Sequence, residues 1–258
     1  MTSKAPATRR LSARDHQEAY DLWARHFADP ALMANRDAKT TLRKLTRVVD
    51  RLPIQKDSVI LDIGPGDGTL FRIVSARAAR CCGVDPSAAA LAKLNKLLAD
   101  LANVEFALGS ANAVPYPDAA FDVVVVNSVL QMLPSRDELE KAVRELVRVC
   151  KPGGAIFVGE LPFRSELGGG VLPHAVRKLR ESGAGNFLRL IWHVYAKPIL
   201  RGEPILTYPA TNLFVPADEF IAFCEGLGLA VEATRHQEMR GPSKTRNDYV
   251  LRVKASSS

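Results

Sequence analysis

The sequence predicts an α/β protein: a doubly wound, mostly parallel seven-stranded sheet with helices on both faces. Three features carry this reading. From residue 58 onward short apolar runs recur about every 20 to 35 residues, amphipathic stretches of helical period fill the gaps, and the last two runs are joined by a loop too short for a crossover helix. Strands apolar on both sides that alternate with amphipathic helices call for a parallel sheet covered on both faces. Right-handed crossovers then wind it in both directions. Parallel neighbours need a dozen or more linking residues, so the final pair should be an antiparallel hairpin at a sheet edge.

Taken in order, residues 1–14 are small, polar and basic with little to bury, and read as a disordered lead. They hold no apolar segment of the kind a secretory signal needs. Helical patterning follows over Asp15 to Phe27 and again over Ala38 to Arg51, where Leu42, Leu45, Val48, Val49 and Leu52 recur at spacings of three and four, and Pro53 closes the segment. Residues 15–57 therefore form an N-terminal helical cap ahead of the α/β domain at 58–258. The strand-like runs are "SVILDIG", "ARCCGVD", "VEFALG", "FDVVVVN" and "GAIFVGE". Between them lie helices over Thr69 to Arg80, Ser87 to Leu101 and Ser135 to Cys150, the last opened by a capping box of Ser135 and Glu138. "KPGG" at 151–154 reads as a hard turn into strand five. The rhythm then breaks over residues 161–215, a helical insertion placed to act as a substrate lid, and resumes with a helix at Ala217 to Leu227 and strands at Leu229 to His236 and "DYVLRVK".

Composition narrows the function. Over 258 residues, 47% hydrophobic and 24% charged content is globular, and a formal charge of +7 favours anionic partners without requiring nucleic acid. Cys81, Cys82, Cys150 and Cys224 show no C-x-x-C spacing and read as reduced core residues, which fits a cytoplasmic protein. No apolar run reaches the roughly 18 residues a membrane span needs.

"LDIGPGDGTL" at 61–70 ends the first strand in a Gly-rich turn, the place where such sheets bind ligands. A dinucleotide fingerprint would continue to a third Gly or Ala, but Thr69 stands there, Pro65 removes a backbone donor, and Asp62 and Asp67 would repel a pyrophosphate. A cation fits better. S-adenosylmethionine carries an ammonium and a sulfonium and no phosphate. Asp85, 17 residues after Gly68, is placed to accept from both ribose hydroxyls, Ser110 and Ala111 lie at the adenine edge, and Asn127 faces the reacting end.

At "VILDIGPGDGTL", "GVDPS", "VPYPDAAFD" and "LVRVCKPGG" the sequence resembles the class I S-adenosylmethionine-dependent methyltransferase family, with its Rossmann-like fold, over about Val59 to Glu160. The resemblance implies that Asp62, Gly64 and Gly66 hold the methionine portion, Asp85 the ribose, and Ser110 with Ala111 the adenine. Ile63, Pro65, Thr69, Pro86 and Ser128 are expected to line the same cofactor site. One departure is Ser110, where the family often has Asp; a hydroxyl accepts more weakly than a carboxylate, and Asn112 could assist. Plainer roles stand beside these: Asp62 and Asp85 as turn residues, and "NSVLQML" as packing beyond Asn127.

The acceptor is expected to be a small molecule methylated on oxygen or nitrogen by in-line displacement. Tyr20, Trp23 and His26, spaced every third residue, are either helix packing or the aromatic wall of a lid, and with Gln131 and Arg164 they are the substrate-side candidates. His193 and Tyr195, in "FLRLIWHVYAKPIL", are candidate bases. From Arg164 to Arg201 seven Lys or Arg stand against two Glu, which suits an anionic substrate, or a lipid-linked one given the apolar stretch beside it, or serves as a solvated helix face. No Asn/Asp-Pro-Pro-aromatic signature follows strand four, which argues against nucleic acid. His174, His193 and His236 lack metal-ligand spacing. An RNA or protein methyltransferase, or a non-catalytic cofactor-binding module, are the other readings, and the chain should be a monomer or homodimer.

Overall fold

A computed structural model describes residues 38–163, 192, 200, 213–235 and 246–255. In chain order they form α1 (Ala38–Val49), β1 (Val59–Ile63), α2 (Thr69–Val74), β2 (Arg80–Asp85), α3 (Ala88–Leu97), β3 (Val104–Leu108), β4 (Phe121–Asn127), a 3-10 turn (Leu130–Met132), α4 (Arg136–Val149), β5 (Cys150–Pro162), α5 (Ala217–Gly226), β6 (Ala230–Arg235) and β7 (Arg246–Arg252). The strands make one seven-stranded sheet in the order β3-β2-β1-β4-β5-β7-β6. The first five pair in parallel, and β7 runs antiparallel to both β5 and β6. The predicted hairpin therefore forms with its second strand turned inward against β5, leaving β6 at the edge.

Alternation explains the two layers. Leu61, Ile63, Val124, Val126, Ile156 and Val158 pack with α4 and α5 in one apolar cluster. Ile60, Val123, Val125 and Phe157 go to the other face, with Phe71, Val74, Leu91 and Leu94 of α2 and α3 and Val48 and Val49 of α1. Successive strand residues point to opposite faces, so a strand buried on both reads as an unbroken apolar run. Strand β3 departs from that pattern, with no residue fully buried, because it is an edge and one side of its ladder has no partner.

Helix α2 stops at Val74, well before the expected Arg80. Ser58, just ahead of β1, accepts from the backbone N–H groups of Ala79 and Arg80 and so draws that stretch into the start of β2. Ser135 caps α4 by accepting from Glu138 N, but the Glu138 carboxylate accepts from Asn112 and Lys141. "KPGG" is not a turn ahead of β5. Cys150 already pairs with Phe121, and the register jumps to Val123 opposite Ala155, so residues 151–154 are a bulge inside the strand. Asp122 closes that bulge, accepting from Val59 N at 2.8 Å and from Lys151 Nζ at 2.9 Å. A Cβ on Gly154 would lie 2.8 Å from the backbone oxygens of Asp122 and Lys151. Gly154→Ala should therefore cost about 1–3 kcal/mol by overpacking, read as a lower denaturant midpoint at unchanged slope.

The helix expected at Asp15 to Phe27 lies outside the described residues. So does nearly all of the 161–215 insertion.

Candidate functional site

Chain order reverses direction across the sheet at β1, which has β2 on one side and β4 on the other. The crevice beyond the strands' carboxyl ends at that point is where open α/β sheets bind ligands. Four sequence-predicted segments, after β1, β2, β3 and β4, end on that side of the sheet. The turn after β1 brings Gly64 and Gly66 with φ of 67° and 58°, pinned by Gly64 N donating to Val84 O at 2.8 Å.

The two glycines serve different ends. A Cβ on Gly64 would sit 2.5 Å from Val129 Cγ2, so the side chain is absent there to admit the loop after β4. At Gly66 a Cβ would meet nothing within 4 Å. Of the glycines in this turn, only Gly66 faces open space.

Asp62, the penultimate residue of β1, is 4% exposed. Burial first, then the charges of Asp67 and Asp85, push its carboxyl well above the usual carboxylate range. Asp67 Oδ1 accepts from Thr69 N at 3.0 Å and so closes the entry to α2. Asp85 Oδ1 accepts from Ser87 N at 2.9 Å, and Ser87 in turn caps α3. The turn role for Asp85 is therefore real, and it fixes the carboxyl at the end of β2 beside the Gly-rich turn.

Ser110 exchanges backbone hydrogen bonds with Ala113, forming the small loop after β3. Ala111 is buried in the core, as is Ile63, so each can offer a ligand only its main chain. Asn112 donates to Glu138 on α4. Lys141 above all, with help from Asn112, holds the Glu138 carboxyl below its ordinary range, so at neutral pH it is an acceptor and fixes which end of the Asn112 amide faces it. Arg148 of α4 braces the same loop, donating to Val114 O, Tyr116 O and Asp118.

Asn127 ends β4 with its Oδ1 buried and without a partner among the described residues. Gln131 is 1% exposed and its Oε1 is likewise unpartnered. Ser128 donates through Oγ to Glu160 at the end of β5, 2.7 Å away. Sequence reasoning missed Glu160, which stood as the last letter of an apolar strand; its signal was a lone carboxylate at a strand's carboxyl end. Pro65 and Pro86 sit in the turns after β1 and β2, and Thr69 is the first residue of α2. Tyr20, Trp23, His26, Arg164, His193 and Tyr195 lie outside the described residues, as do His174 and His236.

Comparison with known proteins agrees with this geometry. A family model described as "Methyltransferase domain" matches residues 61–158. The 27-O-demethylrifamycin SV methyltransferase of Amycolatopsis mediterranei is 30% identical over 151 residues, covering 57% of this chain and 54% of that protein. A ubiquinone/menaquinone biosynthesis C-methyltransferase of Hydrogenovibrio crunogenus is 30% identical over 118 residues, covering 42% and 43%. The chain thus spans about half the length of the curated relatives it matches. Among solved structures, a Haemonchus contortus phosphoethanolamine N-methyltransferase in complex with phosphoethanolamine and S-adenosylhomocysteine shares the fold, with a TM-score of 0.64 at 12% identity over 96% of this chain and 51% of that one.

Proposed function

We propose that this chain, whose residues 61–158 match a methyltransferase domain, is a class I S-adenosylmethionine-dependent methyltransferase that methylates an oxygen or nitrogen of a small, anionic acceptor. The observation that carries the reading is the charge of the crevice. Asp62 at the end of β1, Asp67 in the Gly-rich turn and Asp85 at the end of β2 lie close enough that burial first, and then the charges of the other two, raises Asp62. Such a turn repels a pyrophosphate and is relieved by a cation, so the residues fit S-adenosylmethionine, which supplies a methyl carbon already activated by a sulfonium.

In this reading Asp62 and the main chain at Gly64 to Gly66 hold the methionine end, Asp85 accepts from the ribose hydroxyls, Ser110 and Ala111 border the adenine, and Asn127 faces the reacting end. The protein's main task is alignment, since holding a nucleophile in line with the methyl carbon supplies several kcal/mol of the barrier. The basic run between Arg164 and Arg201 supports an anionic substituent on the acceptor. The relatives named above are a 27-O-demethylrifamycin SV methyltransferase and a ubiquinone/menaquinone biosynthesis C-methyltransferase, so the oxygen or nitrogen acceptor is proposed for this chain on its own residues. Among the described residues no helix is long and apolar enough to cross a membrane.

Titration calorimetry with S-adenosylmethionine tests the reading, and absence of binding would end it. Asp85→Asn keeps an acceptor for Ser87 N but loses the charge and one of two acceptors for ribose. It should weaken binding at least tenfold, about 1.4 kcal/mol, with a melting temperature close to that of the unaltered protein.

A further inference from the structure

We propose that Glu160 is the proton acceptor on the substrate side of the crevice, taking the proton that a hydroxyl or amino nucleophile gives up as it is methylated. The inference rests on the methyl-transfer reading above and adds the group such a nucleophile requires.

Strand β4 ends at Asn127, opposite Gly159 of β5, and β5 runs on past an irregularity at residues 159–160 to pair Leu161 and Pro162 with β7. The residues that follow Asn127 and Gly159, Ser128 and Glu160, each have a left-handed backbone, with φ of 61° and 60°. For a non-glycine residue that conformation costs on the order of 1–2 kcal/mol, and it persists only where surrounding structure imposes it. Here three strands impose it. Ser128 N donates to Gly159 O at 3.0 Å. Ser128 Oγ donates to Glu160 Oε2 at 2.7 Å. From β7, buried Asp248 accepts from Glu160 N at 2.7 Å, and Arg246 Nη1 lies 3.6 Å from Glu160 Oε2 and donates to its carbonyl at 3.4 Å. A surface ion pair needs none of this. Two adjacent strained residues, cross-linked through their side chains, hold one carboxylate at the carboxyl edge of the sheet.

Its surroundings say what it meets. Asn127 Oδ1 and Gln131 Oε1 are buried acceptors that no described residue satisfies. Gln131 is tied to the end of β5 through residues 213–215, since Leu213 N donates to Gln131 O at 2.9 Å and Val215 N to Pro162 O at 3.0 Å. A buried acceptor without a donor costs about 1–3 kcal/mol, so these two amides mark a polar lining at the end of β4. A nucleophile that gives up a proton to Glu160 is a hydroxyl or an amine rather than a carboxylate oxygen. An anionic group elsewhere on the same acceptor is compatible with it.

The step balances. The oxygen or nitrogen lone pair forms the new bond to the methyl carbon, the methyl–sulfur bond breaks with its electron pair remaining on sulfur, and the displaced proton passes to the Glu160 carboxylate and later to water. A positioned base of this kind contributes roughly 10²–10⁴ in rate.

Two ligands test the assignment without knowledge of the acceptor. S-adenosylhomocysteine has a neutral thioether; sinefungin places a protonated amine where the methyl group sits. Calorimetry should show Glu160→Gln binding sinefungin about tenfold more weakly, or worse, while S-adenosylhomocysteine stays within about twofold, and Glu160→Asp should recover part of the difference. Should Glu160→Gln not fold, Glu160→Asp carries the same comparison with a several-fold loss confined to sinefungin. Equal loss for both ligands, or loss for neither, overturns the assignment. If the unaltered protein binds neither ligand, the methyl-transfer reading fails and this assignment with it.

Discussion

Asp62→Asn should make the protein more stable and its cofactor binding far weaker. Burial and the nearby Asp67 and Asp85 raise the Asp62 carboxyl well above its ordinary value, and each unit of such a rise costs the folded state about 1.4 kcal/mol once the group is ionised in the unfolded chain. The sign follows from the direction. Below the unfolded value, about pH 3.9, the carboxyl is protonated in both states and the two variants should be equally stable. As pH climbs from there through the folded value, the unfolded state releases its proton first and the unaltered protein loses stability relative to Asp62→Asn. Above the folded value the gap is constant. Denaturant midpoints measured from about pH 3.5 to 8 should show the gap opening with pH, and a gap that is flat or reversed would remove burial as the cause. Binding runs the opposite way. A cationic ligand favours the ionised carboxyl, so affinity should rise with pH through the folded value, with a proton released on binding and visible as a buffer-dependent heat. In Asp62→Asn the pH dependence should vanish, and affinity should fall by at least about tenfold, since a charge-assisted contact is roughly twice as strong as a neutral one. Gain of stability with loss of binding is the signature of a group kept for function.

Gly64→Ala should damage stability and binding together. At φ of 67° any side chain costs about 1–2 kcal/mol. The new methyl would also sit 2.5 Å from Val129 Cγ2, and Val is branched at Cβ with few rotamers to escape into, so overpacking adds about 1–3 kcal/mol. Because Val129 lies between Asn127 and Gln131, its displacement moves the loop that carries both unpartnered amide oxygens. A fall of at least tenfold in cofactor affinity is expected beside the lower denaturant midpoint. Combining Gly64→Ala with Val129→Ala relieves the clash but not the backbone strain, so the double variant should recover part of the midpoint beyond what the two single losses add up to. Purely additive losses would show that the two residues do not press on each other.

Much of the fold was legible in the chain. Strands buried on both faces read as unbroken apolar runs, and β1, β2, β4 and the later part of β5 fell where those runs fell. Where a strand had an open edge or a bulge, the pattern lost its meaning. Strand β3 exposes residues that its neighbours bury, and "KPGG" carries turn chemistry while lying inside β5, because Asp122 and Lys151 clasp the extra residues and the ladder resumes beyond them.

The Gly-rich turn with its acidic neighbours was legible too, and it lies at the end of β1 where the sequence puts it. The reasons for the individual glycines were not. Gly64 owes its missing side chain to Val129, a residue of another loop, and only Gly66 faces open space.

By itself the sequence determined the α/β alternation, the Gly-rich turn with its carboxylates, and the preference for a cationic nucleoside, because period and charge are properties of neighbouring residues. Only the tertiary structure decided that β7 inserts between β5 and β6, that Asp62 is buried against two like charges, and that Ser128, Glu160, Arg246 and Asp248 meet. Those facts join residues as many as 120 positions apart along the chain, and which strand ends become neighbours is set by packing of the whole sheet rather than by any local pattern.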